Sequence, residues 1–442
     1  MELQLVKAYI SSGGGGIFLK KLRAGIHPGW IMVFAATVIT AIGIGAYNST
    51  NSVFVKPICD ELGFHRADFT LHRTIITLVG MVFLPLYGKL IRKIRIKRIL
   101  FVSSATIGLV TLGYSFSTEL WHFYVLAVIN GMFLNGISFM VIGVLINQWF
   151  ADRKGLATGI AYCGSGIGGA VMVPIVSDWI AQFGWRWGYR WLAVVGLTIL
   201  LPIAAIVRGY DKDAGDTLYG AEKIKGNVAE KRTQAHENEF FLKEAMRTPT
   251  FWLLFAAFFS MAICAAGPNT HSIPHLTDIG YSMPFASAVF SLFAIMLAVG
   301  KIFFGILFDR FGSLIGSILV GVCCVSFPLL ALLSSFAGVP WAYAVFLGLA
   351  SCGISVPVNV LLVNYFGTKD FPAILSFYSM VTTFGISVSV PMMGAVYDNA
   401  GSYKIAWVIL EVFAVVAMIC LIGAYVMQKH VPPKAVSTQD RK

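Results

Sequence analysis

The sequence predicts an all-α integral membrane protein, with twelve transmembrane helices in two six-helix bundles. Three observations lead there. Of 442 residues, 57% are hydrophobic and 12% charged, against about 45–50% and about 25% in soluble domains, and the mean hydropathy is +0.78. That much apolar surface cannot be kept from water, so lipid is the solvent. The apolar residues fall into twelve runs, each near the roughly 20 residues that cross a bilayer core as a helix. A charged stretch divides the runs six and six. Barrel strands are excluded, because a strand crosses in about 9–11 residues.

Taken in order, residues 1–28 form a tail with a flexible Ser11–Gly16 run and the bases Lys20, Lys21 and Arg23. The apolar run that follows is too long for the core of a signal peptide, and no small-residue cleavage site closes it. The first bundle occupies 29–208, with runs at 29–55, 71–91, 97–117, 120–149, 155–182 and 188–208. Between its second and third runs, residues 89–98 hold six bases (Lys89, Arg92, Lys93, Arg95, Lys97, Arg98) and no acid. A basic cluster can hold nucleic acid, but apolar spans flank this one directly. The excess of Lys and Arg in short cytoplasmic loops accounts for it. The expected surroundings are membrane lipid, with no nucleic-acid partner.

Residues 209–248 form a soluble linker, since 208–247 hold eight acids and eight bases with almost no apolar clustering. The second bundle occupies 249–428, with runs at 249–272, 284–308, 313–336, 340–366, 371–397 and 403–428, and residues 429–442 form a second tail. An even number of spans puts both tails on one side, together with the basic cluster, the Arg153–Lys154 turn and the linker. The expectation is a monomer in the plasma membrane with both termini cytoplasmic. The seven cysteines are odd in number and mostly lie in apolar runs, so they imply no disulfide framework. None has metal-ligand spacing, and neither a metal nor a cofactor is expected.

The halves look duplicated. Gly88 and Gly305, Pro174 and Pro391, and Gly184 and Gly401 are each separated by 217 residues. Parallel repeats of this kind mark transporters, with the substrate near midplane where the halves meet.

The loop after the eighth run reads Gly305-Ile306-Leu307-Phe308-Asp309-Arg310-Phe311-Gly312. Its glycines permit a tight turn and close helix approach. Asp309 can face a helix N-terminus, where the macrodipole favours negative charge, and Arg310 can pair across the turn. This G-x-L-x-D-R-x-G loop resembles that of the major facilitator superfamily. The resemblance implies that Gly305, Asp309, Arg310 and Gly312 latch the outward-facing state shut on the cytoplasmic side; the alternative is a solvated turn. In the equivalent first-half loop Arg92 stands where the acid belongs and Arg95 where the second glycine belongs. That copy is expected to keep topology rather than latch. Gly155, Gly159, Gly164, Gly166, Gly168 and Gly169 place small residues along the fifth run, where they let helices touch backbone to backbone. A nucleotide loop is excluded there, because no strand precedes it.

Trp149-Phe150-Ala151-Asp152-Arg153-Lys154-Gly155-Leu156-Ala157, Gly184-Trp185-Arg186, Phe251-Trp252, Gly394 and Gly401-Ser402-Tyr403 narrow the resemblance. They are similar to the monocarboxylate transporter and oxalate/formate antiporter branch, over about residues 29–428. Lys301 lies inside the eighth run, where a lysine costs about 2.5–3.5 kcal/mol on insertion scales and so points to function. Its repeat equivalent is Leu84, so the fold does not require a base there. The resemblance implies that a base at this place contacts the substrate carboxylate; the alternative is a lysine snorkelling to the aqueous edge. The chain departs from the branch at three places. Leu297 replaces the acid one turn before that base, a residue near Ser49 replaces the first-span lysine, and Tyr378, Thr382 and Thr383 stand where antiporters carry a second base. One base without an adjacent acid suits a singly charged anion.

Tyr47, Asn51, Ser138, Asn359, Tyr378 and Thr382 are further candidates for lining a substrate cavity, against an interhelical hydrogen-bonding role. His271 and His275 sit one turn apart, but Pro274 intervenes and no third ligand is near; they read as histidines at the aqueous edge. His271 and Glu411 are candidates for proton coupling. The expected activity is secondary transport of a small organic anion, a monocarboxylate, by alternating access, with protons or a counter-anion as co-substrate. The alternatives are an efflux carrier for hydrophobic or aromatic compounds, an oxalate/formate-type exchanger, and a non-transporting membrane sensor. The linker is too short for a signalling domain, and no catalytic dyad, zinc motif or phosphate loop suggests an enzyme.

Overall fold

The computed structural model describes residues 27–210, 216–220 and 240–429. Most of the expected tails and linker therefore lies outside the described residues. Ten helices there are individually long and apolar enough to cross a membrane, and a bent pair makes an eleventh span. The longest helix, Met283–Leu332, breaks at Gly312 (φ 76°, ψ −176°), which splits it in two and brings the number to twelve. That backbone conformation is open to glycine and strained for other residues, so the last glycine of the 305–312 loop is what separates two spans.

The spans are α1 (Pro28–Ser49, extended by Asn51–Leu62), α2 (Arg66–Lys93), α3 (Ile96–Tyr114), α4 (Leu120–Trp149), α5 (Lys154–Phe183) and α6 (Trp185–Ile206). The second bundle has α7 (Pro249–Asp278), the limbs 283–311 (α8) and 313–332 (α9), α10 (Val339–Ile354 with Val356–Phe366), α11 (Phe371–Ala400) and α12 (Lys404–Lys429).

The 217-residue repeat runs through the backbone. α4 tightens to a 3-10 turn at Asn135–Ile137 and α10 does so at Cys352–Ile354. Left-handed Gly63 and Gly280 follow α1 and α7, and Gly184 and Gly401 close α5 and α11. Each pair keeps the same spacing. Within the first bundle, Trp185 Nε1 donates to Glu61 Oε2 at 2.7 Å, and Arg186 pairs with Glu61 while stacking 4.2 Å over the Trp185 ring. The Gly-Trp-Arg motif thus pins the far end of α1 to the start of α6.

The bundles meet most closely along α5 and α8. A Cβ on Gly155 would overlap the Gly305 carbonyl oxygen, and one on Gly305 would overlap that of Gly155. α5 starts and α8 ends on the membrane face where residues 216–220 and 240–245 pack, called here the linker face. Tyr219 exchanges backbone hydrogen bonds with Trp149 and Ala151, and Phe240 donates to Phe366 O at 3.1 Å.

Candidate functional site between the bundles

Lys301 projects from α8 across the bundle boundary and is 5% exposed. Its Nζ donates to Ser165 Oγ at 2.8 Å and to Tyr162 O at 3.2 Å, both on α5, and lies 5.1 Å from the Phe139 ring centroid. An ammonium carries three N–H donors; the third has no hydrogen-bond partner among the described residues, and no carboxylate pairs with it there. The aqueous-edge alternative for this lysine does not hold, because the side chain turns into protein.

The helix breaks position its neighbours. α4 restarts at Phe139 after the 3-10 turn, and the Phe139 carbonyl accepts from Tyr162 Oη at 2.5 Å. α10 restarts at Val356, and one turn on Asn359 Nδ2 donates to Tyr162 Oη at 2.8 Å and to Ser355 O at 3.1 Å. Tyr162 thus joins four helices: it sits on α5, receives Asn359 from α10 and Lys301 from α8, and donates to α4. What this arrangement offers is one fixed positive charge among neutral hydroxyls, carbonyls and rings.

Of the expected cavity residues, the structure brings Asn359 to Lys301 through Tyr162, and places Ser138 next to Phe139 with Oγ donating to Asn135 O at 2.7 Å. The others lie apart. The Tyr47 hydroxyl sits against Gly196 of α6 inside the first bundle. Asn51 Nδ2 bonds back to Tyr47 O at 2.6 Å. Tyr378 is fully buried in the second bundle, donating to Phe251 O at 2.7 Å, and Thr382 donates to Ser379 O at 3.0 Å in its own helix. For the two tyrosines the reason is rotational: a polar residue in a span faces the boundary from only part of the helix circumference, and Tyr47 and Tyr378 face into their own bundles. Tyr162 and Ser165 were not singled out in the sequence, because they sit in the glycine-rich run that reads as packing. Arg73 was also passed over, although a base inside the second run is a signal; its Nη2 is 2.8 Å from Asn48 Oδ1.

Of the two histidines, His275 differs from the aqueous-edge reading, while His271 is half-buried. His275 is buried, held by Ser334 Oγ at 2.9 Å and by the Trp407 indole N–H at 3.2 Å. His271 lies within the second bundle, its ring nitrogens 3.0 Å from Tyr403 Oη and 3.2 Å from Val390 O. Glu411 sits on α12 with Oε2 buried and without a hydrogen-bond partner among the described residues. No group of three potential metal ligands exists among the described residues.

On the linker face, Asp309 accepts from Gly155 N at 2.8 Å and Leu156 N at 2.7 Å, capping α5 from the opposite bundle. Arg310 makes no ion pair among the described residues and instead lies 5.6 Å over Phe311. The first-half loop does more than keep topology. Arg92 Nη1 bonds Asp370 Oδ1 at 2.6 Å, joining α2 to the start of α11, and Asp370 Oδ2 accepts from Leu242 N at 3.0 Å. By the 217-residue spacing Arg92 is equivalent to Asp309, and Asp370 to Arg153. The expectation failed because it looked for the missing acid at the end of α2, whereas here the base stands in the last turn of α2 and the acid at the N-cap of α11.

A buried charge at a boundary between two repeated bundles is a transporter's architecture, and comparison with known proteins identifies which. The profile of the Major Facilitator Superfamily matches residues 33–347 and 272–442. The chain belongs to the Major Facilitator Superfamily. It is a multi-pass membrane transporter and not an enzyme. A relative from Danio rerio, monocarboxylate transporter 12-B, is 26% identical over 438 residues, covering 90% of this chain and 88% of the relative. The oxalate:formate antiporter of Oxalobacter formigenes is 24% identical over 177 residues, covering 40% and 39%. Among solved major facilitator structures, the proton:xylose symporter XylE aligns with a TM-score of 0.66 at 14% identity, covering 91% of this chain and 96% of that one. The human organic anion transporter MFSD10 aligns with a TM-score of 0.68 at 10% identity, covering 90% and 100%. At those identities the structures speak for the fold alone.

Proposed function

We propose that this major facilitator transporter carries a small organic anion with one carboxylate, by alternating access, in the plasma membrane with its linker face cytoplasmic. The observation that carries the reading is Lys301, an ammonium buried at the bundle boundary with a spare N–H and neutral partners only. An unpaired charge resists enclosure in a dry site. A carboxylate would neutralise it and let the bundles close around the pair. Phe139 supplies an apolar surface for the body of the anion. The contacts of Asp309 and Arg92 close the linker face, so the conformation is read as outward-facing. The names of the relatives support a monocarboxylate.

Exchange of two anions is the second reading. It is favoured by the lack of any acid ion-paired to Lys301 among the described residues and by the antiporter relative. His271 and Glu411 remain the candidates for proton movement, each held away from Lys301 in the second bundle. Proteoliposomes containing the protein and a trapped pH-sensitive dye test both readings. Labelled lactate, pyruvate, formate and oxalate are supplied outside. Saturable uptake of a monocarboxylate above that of empty vesicles is expected, with oxalate the poorer cargo. Coincident acidification indicates proton symport, and uptake that needs an internal anion indicates exchange. Saturable uptake of none of the four would remove the carboxylate assignment.

A further inference from the structure

A cavity of about 280 Å³ lies on the linker side of the Asn359–Tyr162 hydrogen bond. The first bundle contributes Asn147, Lys154 and Thr158 to its wall, and the second contributes Asp309, Asn359 and Asn364. Asn359 is common to both spaces: its amide bonds Tyr162 on the side of Lys301, and the residue lines the cavity beyond. Two lysines therefore stand on opposite sides of one seal, Lys301 on the midplane side and Lys154 on the linker side.

The charges of this cavity are not evenly engaged. Both Asp309 oxygens accept backbone N–H groups, and Asp152 Oδ1 accepts Arg153 N at 2.9 Å. Among the described residues neither Arg153 nor Lys154 forms an ion pair. Arg153, on the rim, is also the one non-glycine residue there with positive φ, at 56°. A left-handed conformation costs an ordinary residue about 1–2 kcal/mol, and such strain gathers at ligand and switch sites. The volume is just below the roughly 300 Å³ where drug-sized pockets begin, which suits a ligand of a few heavy atoms.

We propose that this cavity is a second anion subsite, taking a small carboxylate from the linker side with Lys154 as its base and the Thr158 hydroxyl as a further donor. It rests on the carboxylate reading of Lys301 and extends it. An anion seated there touches α5 of one bundle and α10 of the other. It braces the closed linker face, so that cargo accumulated on that side slows the return of the carrier.

Thermal unfolding of the purified full-length protein tests this, with sodium pyruvate compared with sodium chloride at equal ionic strength. The expected result is that Lys301→Ala keeps part of the pyruvate-dependent rise in melting temperature. Lys301→Ala combined with Lys154→Gln loses it, and Lys301→Ala with Lys154→Arg regains it. Thr158→Val in the Lys301→Ala background is the second route, and weakens the remaining response should Lys154→Gln fail to fold. Loss of the whole response in Lys301→Ala alone overturns the second subsite and leaves the Lys301 site standing. A response that survives in the double variants overturns the assignment to Lys154 and Thr158. No response in the native protein overturns both sites.

Discussion

At the residue scale, the account rests on how Lys301 is held. Its ammonium is tied to Ser165 Oγ and Tyr162 O on the opposing bundle, so it is both a charge for a ligand and a strut between bundles. Hydrogen bonds to charged groups contribute about 1.5–3 kcal/mol, and tenfold in affinity corresponds to about 1.4 kcal/mol. Ser165→Ala removes one neutral partner while keeping the charge. It is expected to change the apparent KM for a monocarboxylate by up to about tenfold while uptake stays saturable, with Ser165→Thr restoring the native value. Kinetics in proteoliposomes check this. Lys301 was legible in the sequence because a lysine in an apolar run is costly wherever it points. Tyr162 and Ser165 were not, because their role depends on which way α5 is turned, and its glycines imprint packing more strongly than its polar residues imprint a site.

At the element scale, two contacts close the linker face with opposite charge placement. α8 brings an acid to the N-terminus of α5, where backbone N–H groups and the macrodipole receive it. α2 brings a base to α11, whose N-cap residue is Asp370, 4% exposed. Arg92→Asp or Asp370→Arg alone sets like charges together, and each is expected to open the linker face. The exchanged pair Arg92→Asp with Asp370→Arg is expected to recover closure in part, with a coupling energy of about 0.5–3 kcal/mol. Spin-label distances across the linker face report the change. Asp370 also holds Leu242 N, so recovery is limited by that second bond. The motif that carries the Asp309 contact was legible in the sequence, whereas the Arg92–Asp370 contact was hidden because its charges are inverted. Along α5, Gly155→Val would drive a side chain into the Gly305 carbonyl. The expected outcome is a bundle boundary that cannot close, read as loss of uptake with the protein still inserted and folded by circular dichroism.

At the scale of the whole molecule, the twelve-span architecture was legible almost throughout, because composition and run length are set by the bilayer itself. The division of 283–332 was legible too, through the glycine at 312 that the backbone requires. Less could be read of the cavity. Tyr47 and Tyr378 are polar residues in spans, but each turns into its own bundle, and sequence periodicity over a span that is apolar on nearly all faces does not give that rotation. The repeat supplies a remedy: Asn135–Ile137 and Cys352–Ile354 hold equivalent places, and Phe139 and Asn359, shortly after these breaks, both reach the boundary. In the alternating access proposed above, the two similar bundles rock about a contact that Lys301 crosses.

The most direct measurement is the initial rate of pyruvate uptake into proteoliposomes carrying equal amounts of native protein, Lys301→Arg and Lys301→Ala. The account predicts that kcat/KM falls about 10- to 100-fold or more in Lys301→Ala, in keeping with the loss of a charge-assisted contact of about 1.5–3 kcal/mol, and that Lys301→Arg retains part of it. Uptake by Lys301→Ala equal to that of the native protein would contradict the claim that this ammonium receives the cargo.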